Sequence, residues 1–187
     1  MKVPLADLQF VAFDLETTGL SDAKDSIVEF GAVRFLMDGT VLECFEQLVN
    51  PLRPIPEDAT RINKITDAMV HGMPTVAEIL PRFLTFLNRE NTVLMAHNAQ
   101  FDLGFLRHAM KGHQGLTIAR PVLDTLKMDR REIRGLTSYR LEHLAAVLKL
   151  RGSEGHRALA DARLVMELFR KVHCNSGDVT VQCSLVS

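Results

Sequence analysis

FVAFDLETTGL, residues 10–20, runs an apolar strand into two acids. Phe10, Val11, Ala12 and Phe13 fill both positions of the period-2 alternation, the pattern of a strand covered on both faces. Asp14 and Glu16 follow two residues apart, so on a continuing strand they project from one face. Side by side at the end of a core strand, two like charges repel each other and lose hydration, and something must compensate them.

Outward from this strand, the chain alternates strands with helices. IVEFGAVRFL (27–36) and VLECFEQLVN (41–50) read as two strands joined by a turn at Asp38-Gly39. Residues 51–74 carry four prolines and form a long irregular excursion with room for short helical turns. TVAEILPRFLTFLN opens on a Thr75/Glu78 capping box, and Val76, Ile79, Leu80, Phe83, Leu84 and Leu87 keep helical spacing. Pro81 falls off that stripe, which predicts a kink on the outer side. TVLMAHN (92–98) is a buried strand feeding the helix AQFDLGFLRHAM, with Asn98 as its cap. PVLD (121–124) is a short strand, KMDRREIRG is basic, and SYRLEHLAAVLKL and HRALADARLVMELFRKV are the closing helices. A three-strand meander followed by alternating helices and strands predicts an α/β domain with a mixed five-stranded sheet. That domain spans 1–173, and 174–187 reads as a C-terminal tail.

The 187 residues fit one domain with a sizeable core. A formal net charge of −1 and an isoelectric point near 6.7 exclude a globally basic coat for duplex. They leave open a protein that grips one chain end at a metal site. Cys44, Cys174 and Cys183 are too few and too far apart for a disulfide framework, which suits a reducing cytoplasm. The N-terminus lacks the apolar run of a signal peptide, and no stretch reaches membrane-spanning length. The expectation is a soluble cytoplasmic protein with no membrane association.

Two more acids share the oddity of the first pair. Asp102 lines up with Phe105, Leu106 and Ala109, and Asp161 with Leu164, Val165, Leu168 and Val172. Each opens the apolar stripe of its helix. A buried carboxylate without a partner costs several kcal/mol, roughly, so it needs an arginine, a proton or a metal. An arginine is the simplest partner for any one of them. For four core-facing acids without a matching set of inward bases, two divalent cations are the better account. All-oxygen ligands select hard ions, Mg²⁺ or Mn²⁺, and two such ions about 3.5–4 Å apart clamp both oxygens of a phosphoryl displacement.

FDLETTGL, AHNAQFDLGFL and HRALADA together resemble the three motifs of the DEDDh-type 3′–5′ exonucleases, the DnaQ-like family of the bacterial DNA polymerase III epsilon (proofreading) subunit. Asp14 and Glu16 match the first motif, Asp102 the second, and His156 with Asp161 the third. The likeness covers roughly residues 8–172. It implies a ribonuclease H-like fold and hydrolysis of the terminal phosphodiester of single-stranded or frayed DNA, releasing nucleoside 5′-monophosphates. It also implies a role for each residue. Asp14, Glu16 and Asp161 hold the metal nearest the attacking water, Asp14 bridges to the second, and Asp102 helps through waters. His156 is the general base, since an imidazole near pKa ~6.5 accepts a proton at neutral pH. Thr17 and Leu20 meet the terminal nucleotide. His97, Asn98 and Phe101 complete the substrate-binding set, Phe101 by stacking. Phe105 belongs to the core stripe.

The expected partner is a single-stranded nucleic acid 3′ end, with a DNA polymerase subunit as a further one. RNA trimming is the alternative within the same chemistry, and a non-catalytic binding module the alternative outside it. Lys127, Arg130, Arg131, Arg134 and Arg140 read equally as a solvated face or as a phosphate-steering patch. One departure stands out. Many relatives carry His-Gly-Ile-Thr in the proline-rich excursion, where this chain has Asn63-Lys64-Ile65-Thr66, which puts the local loop contacts in question.

Overall fold

A computed structural model describes residues 8–150 and 156–173. The sheet has five strands: β1 (Gln9–Thr17), β2 (Ile27–Phe35), β3 (Val41–Leu48), β4 (Thr92–Ala96) and β5 (Val122–Asp124). Their order across the sheet is β3-β2-β1-β4-β5. β1–β2 and β2–β3 pair antiparallel, β1–β4 and β4–β5 parallel. The meander is closed by the turn at Gly39, whose φ of 92° is a conformation glycine adopts without strain. The helices are α1 (Glu57–Asn63), α2 (Asp67–Val70), α3 (Val76–Leu87), α4 (Ala99–Met110), α5 (Thr125–Glu132), α6 (Leu141–Leu148) and α7 (Ala158–His173). The mixed α/β sheet is the architecture the pattern predicts. The 174–187 tail lies outside the described residues.

The pleat of β1 sorts its side chains between two layers. Val11, Phe13 and Leu15 pack with Phe30, with Leu80, Phe83 and Leu87 of α3, and with Leu103, Phe105 and Leu106 of α4. Phe10 and Ala12 pack on the opposite face with Val33, Phe35 and Met95, against Ala162, Val165 and Phe169 of α7. Continuing that second alternation past Ala12 reaches Asp14 and then Glu16, so the strand period aims both acids at the side that α7 covers. Register supplies the rest: Asp14 stands opposite Gly31 and Glu16 opposite Glu29 on β2. A Cβ at Gly31 would lie 2.1 Å from the backbone carbon of Ala158. Glycine here lets the first turn of α7 settle directly onto β2, beside Asp14.

Several local expectations are refined. The capping box of α3 is present, with Thr75 N–H donating to Glu78 at 2.7 Å, and Pro81 is exposed within a helix that continues past it. Asn98 precedes α4 but makes no side-chain cap; it takes a left-handed φ of 67°, and its side chain is left exposed. The basic segment forms α5, capped by Asp124, which accepts from Lys127 N–H at 3.4 Å. The last helix begins at Ala158, not at His156, because His156 has a φ of 67°. The Asn63-Lys64 pair makes its own contacts. Asn63 is buried, donates to Thr17 O at 3.3 Å and accepts from Ile65 N–H at 3.0 Å, while Lys64 adopts the left-handed C-cap of α1.

Candidate active site

Asp14, Glu16 and Asp161 each offer a carboxylate oxygen within 4.8 Å of the others. β1 supplies two of them from one face, and α7 brings the third across from its first turn, where the apolar stripe below it is locked into the core. Asp102 approaches from the first turn of α4. It is 2% exposed, and its Oδ1 accepts the Leu15 N–H at 3.1 Å, which ties the second motif to the backbone between the two acids of the first.

Electrostatics show how costly this assembly is for a protein alone. Burial pushes the Asp14 carboxyl well above the ordinary range, and Asp102, Glu16 and Asp161 add to the push. Glu16 is raised to about 8 by burial, then by Asp161 and Glu29. Asp102 is raised to about 8, again mainly by burial, against the opposing pull of its backbone hydrogen bonds. Asp161 rises less, to about 6, because His156 and its backbone N–H partly offset burial. Acids raised in this way repel one another once ionised, a repulsion that a bound cation would relieve.

One more acid beside this cluster escaped the sequence reading. Glu29 is wholly buried on β2 and is held by Arg157, Nε to Oε2 at 3.0 Å and Nη2 to Oε1 at 2.5 Å, and by the Ala158 N–H at 3.0 Å. Among the described residues, this acid has an arginine partner, and Asp14, Glu16, Asp102 and Asp161 have none. The signal was available: a glutamate inside a nine-residue run buried throughout contradicts its surroundings as Asp14 does. Its partner is 128 residues away, however, and no local pattern connects them. The donor set around Asp14 therefore fits a hard divalent ion: oxygen atoms only, converging, partly buried, with the Arg157 guanidinium already engaged by Glu29.

His156 lies at the rim of the acids, with Nε2 3.3 Å from Glu142 Oε1 of α6. Thr17 is at the end of β1, where its hydroxyl donates to Gly19 O at 2.6 Å, and Leu20 projects into solvent with 87% of its surface exposed. The loop between them winds around Asp25, which accepts from Ser21 N–H at 3.0 Å and from the Thr18 hydroxyl at 3.4 Å. His97 does not reach the acids. Its Nδ1 is 3.1 Å from Thr125 Oγ1 and its Nε2 2.8 Å from Tyr139 O, so both ring nitrogens brace the segment before α6. Phe101 packs on Phe105, ring centroids 5.1 Å apart, with Phe105 in the core as expected.

Comparison with known proteins agrees with this geometry. The exonuclease family model RNase_T matches residues 11–169. The DNA polymerase III PolC-type protein of Caldanaerobacter subterraneus subsp. tengcongensis is 40% identical over 164 residues, which is 88% of this chain but 11% of that protein. The DNA polymerase III subunit epsilon of Treponema pallidum is 42% identical over 162 residues, 86% of this chain and 74% of that one. The chain thus spans about a tenth of its PolC-type relatives and most of its epsilon relative. Among solved structures, Exonuclease X in complex with 5′ overhanging duplex DNA superposes with a TM-score of 0.73 at 29% identity, covering 94% of this chain and 96% of the other. The neighbours are exonucleases of the ribonuclease H-like fold, as the motifs implied.

Proposed function

This chain belongs to the RNase_T exonuclease family, and on that premise we propose that it releases nucleoside 5′-monophosphates from the 3′ ends of single-stranded or frayed DNA. The observation that carries the reading is the convergence of Asp14, Glu16 and Asp161, with Asp102 behind them, in a place where, among the described residues, the nearby arginine is engaged by Glu29. Asp14, Glu16 and Asp161 would hold one Mg²⁺ or Mn²⁺, and Asp14 with Asp102 a second. Such ions, when bound, stabilise charge on phosphate oxygens and acidify water.

The chain's own residues supply the remaining functions. His156 accepts the proton of the attacking water; the Glu142 carboxylate near its Nε2 favours the proton on that nitrogen and leaves Nδ1 as the acceptor. Thr17 and its backbone position the terminal sugar, and the exposed Leu20 packs on the terminal base, burying an apolar side chain that otherwise faces water. Asn63, by holding Thr17 O, keeps that end of β1 in place. The similarity to polymerase III subunits supports work beside a DNA polymerase, as a proofreading domain.

The test is digestion of end-labelled DNA and RNA oligomers of one sequence. Activity is expected in Mg²⁺ or Mn²⁺ and none in EDTA. A 3′-terminal phosphate or inverted nucleotide should block it, whereas a 5′ block should not, and DNA should be cut faster than RNA. Internal cuts in a circular single strand would overturn the reading, and faster digestion of RNA would transfer it to RNA ends.

A further inference from the structure

The parallel strands β1, β4 and β5 all end at one edge of the sheet, and the acids cluster at the end of β1. The ends of the other two open onto something else. His97 after β4, Leu126 and Arg130 on α5, and Tyr139, Arg140 and Glu142 around the start of α6 line an open cleft of about 540 Å³. Carboxyl ends of strands in open α/β sheets are where ligands bind. The cleft has a fixed frame: His97 holds Tyr139 O, and the Tyr139 hydroxyl donates to Ile133 O at 2.6 Å. Asp129 is buried beneath, Oδ1 3.2 Å from His173 Nε2 and Oδ2 3.7 Å from His97 Nδ1. The rim is cationic. Arg130 lies over the Tyr139 ring, 5.9 Å from its centroid, Arg140 is exposed, and among the described residues neither is in an ion pair. The acid on the rim is Glu142, whose carboxylate is 3.3 Å from His156 and so joins the cleft to the reaction centre.

We propose that this cleft is a second phosphate subsite, which takes a phosphodiester of the polynucleotide on the 5′ side of the bond being cut, with Arg130 and Arg140 as its ligands. The proposal rests on the exonuclease reading above. A strand whose 3′ end lies at the acids must leave in some direction. At the β4–β5 side the surface opens and carries two guanidiniums whose forked donors match a phosphate.

Steady-state hydrolysis of oligothymidylates from dimer to hexamer, in Mn²⁺, tests it. For the wild-type chain KM should fall once the strand is long enough to reach the cleft. Arg130→Gln and Arg140→Gln should each raise KM for the hexamer about tenfold. The double variant should lose the gain with length. Each arginine removed should lower the slope of log KM on log salt by about 0.7, the value for a single-strand phosphate contact. Arg82→Gln, an exposed arginine on α3, controls for net charge and should keep the wild-type slope. An unaltered length dependence in the double variant, or an equal loss in Arg82→Gln, overturns the subsite. A folded, Mn²⁺-binding chain that releases nucleotide from no length overturns the exonuclease reading itself, and the subsite with it.

Discussion

His156 and the acids around it contribute in separable ways. His156→Ala should lower kcat by about 10²–10⁴-fold, the usual cost of losing a general base, while Mn²⁺ binding measured by calorimetry stays near wild type. Asp14→Ala should lose both, since Asp14 stands among all the other acids. Equal turnover in His156→Ala and wild type would remove His156 from the mechanism. A different residue, Lys64, carries a conformational cost: its φ of 60° is one that glycine adopts freely. Lys64→Gly should therefore raise stability by about 1 kcal/mol in urea unfolding, with activity retained. Asp14, Glu16, Asp102 and Asp161 were legible in the sequence because an acid on an apolar stripe contradicts its own element. Arg157 was not, because only folding shows which acid it serves. The bonds that His97 makes were not legible for a related reason. Its neighbour Asn98 leads into the helix of Asp102, but its ring turns the other way, to Thr125 and Tyr139.

Between elements, the decisive contact is α7 on β2. Gly31→Ala would set a methyl 2.1 Å from the Ala158 backbone, with no flexible side chain to yield. The helix must lift, at a cost of about 1–3 kcal/mol or more, and Asp161 leaves Asp14 as it does so. The expected outcome is a lower Tm and a Tm that no longer rises with Mn²⁺; a variant with wild-type metal response would show that Asp161 is placed by something else. Glu29→Ala acts on the same joint by removing the buried acceptor of Arg157 and of the Ala158 N–H, and should also lower Tm. The elements themselves were readable wherever periodicity ran long: the buried strands, the capping box of α3, and the stripes of α4 and α7. Short pieces were not. α1 and α2 have 7 and 4 residues, too few for a 3.6-residue period to stand out among prolines. α4 starts at Ala99 as expected, but the cap expected of Asn98 and the start of α7 were misjudged because Asn98 and His156 adopt left-handed conformations that no spacing rule announces.

For the whole molecule, the raised acids tie stability to pH in an unusual direction. Glu16 titrates near 8 when folded, against 4.5 ordinarily, so the folded state holds this proton more tightly than the unfolded one. Its contribution is complete at low pH and is lost as pH rises from about 4.5 to about 8. Asp102, also near 8, acts in the same sense, and Asp161, near 6, over the lower part of that range. In EDTA, the Tm of the wild type relative to Glu16→Gln should fall across this window. Millimolar Mn²⁺ should cancel the fall, because ions bound only by the folded state replace the protons. A relative Tm that rises with pH in chelator would contradict the buried-acid account. The joining of β1 to α7 has one more consequence, in time. Asp14 and Glu16 leave the ribosome early, whereas His156 and Asp161 arrive only with the last described helix. The growing polypeptide carries an incomplete set of acids until α7 emerges and docks, so the proposed metal site cannot assemble on the nascent chain before the fold closes.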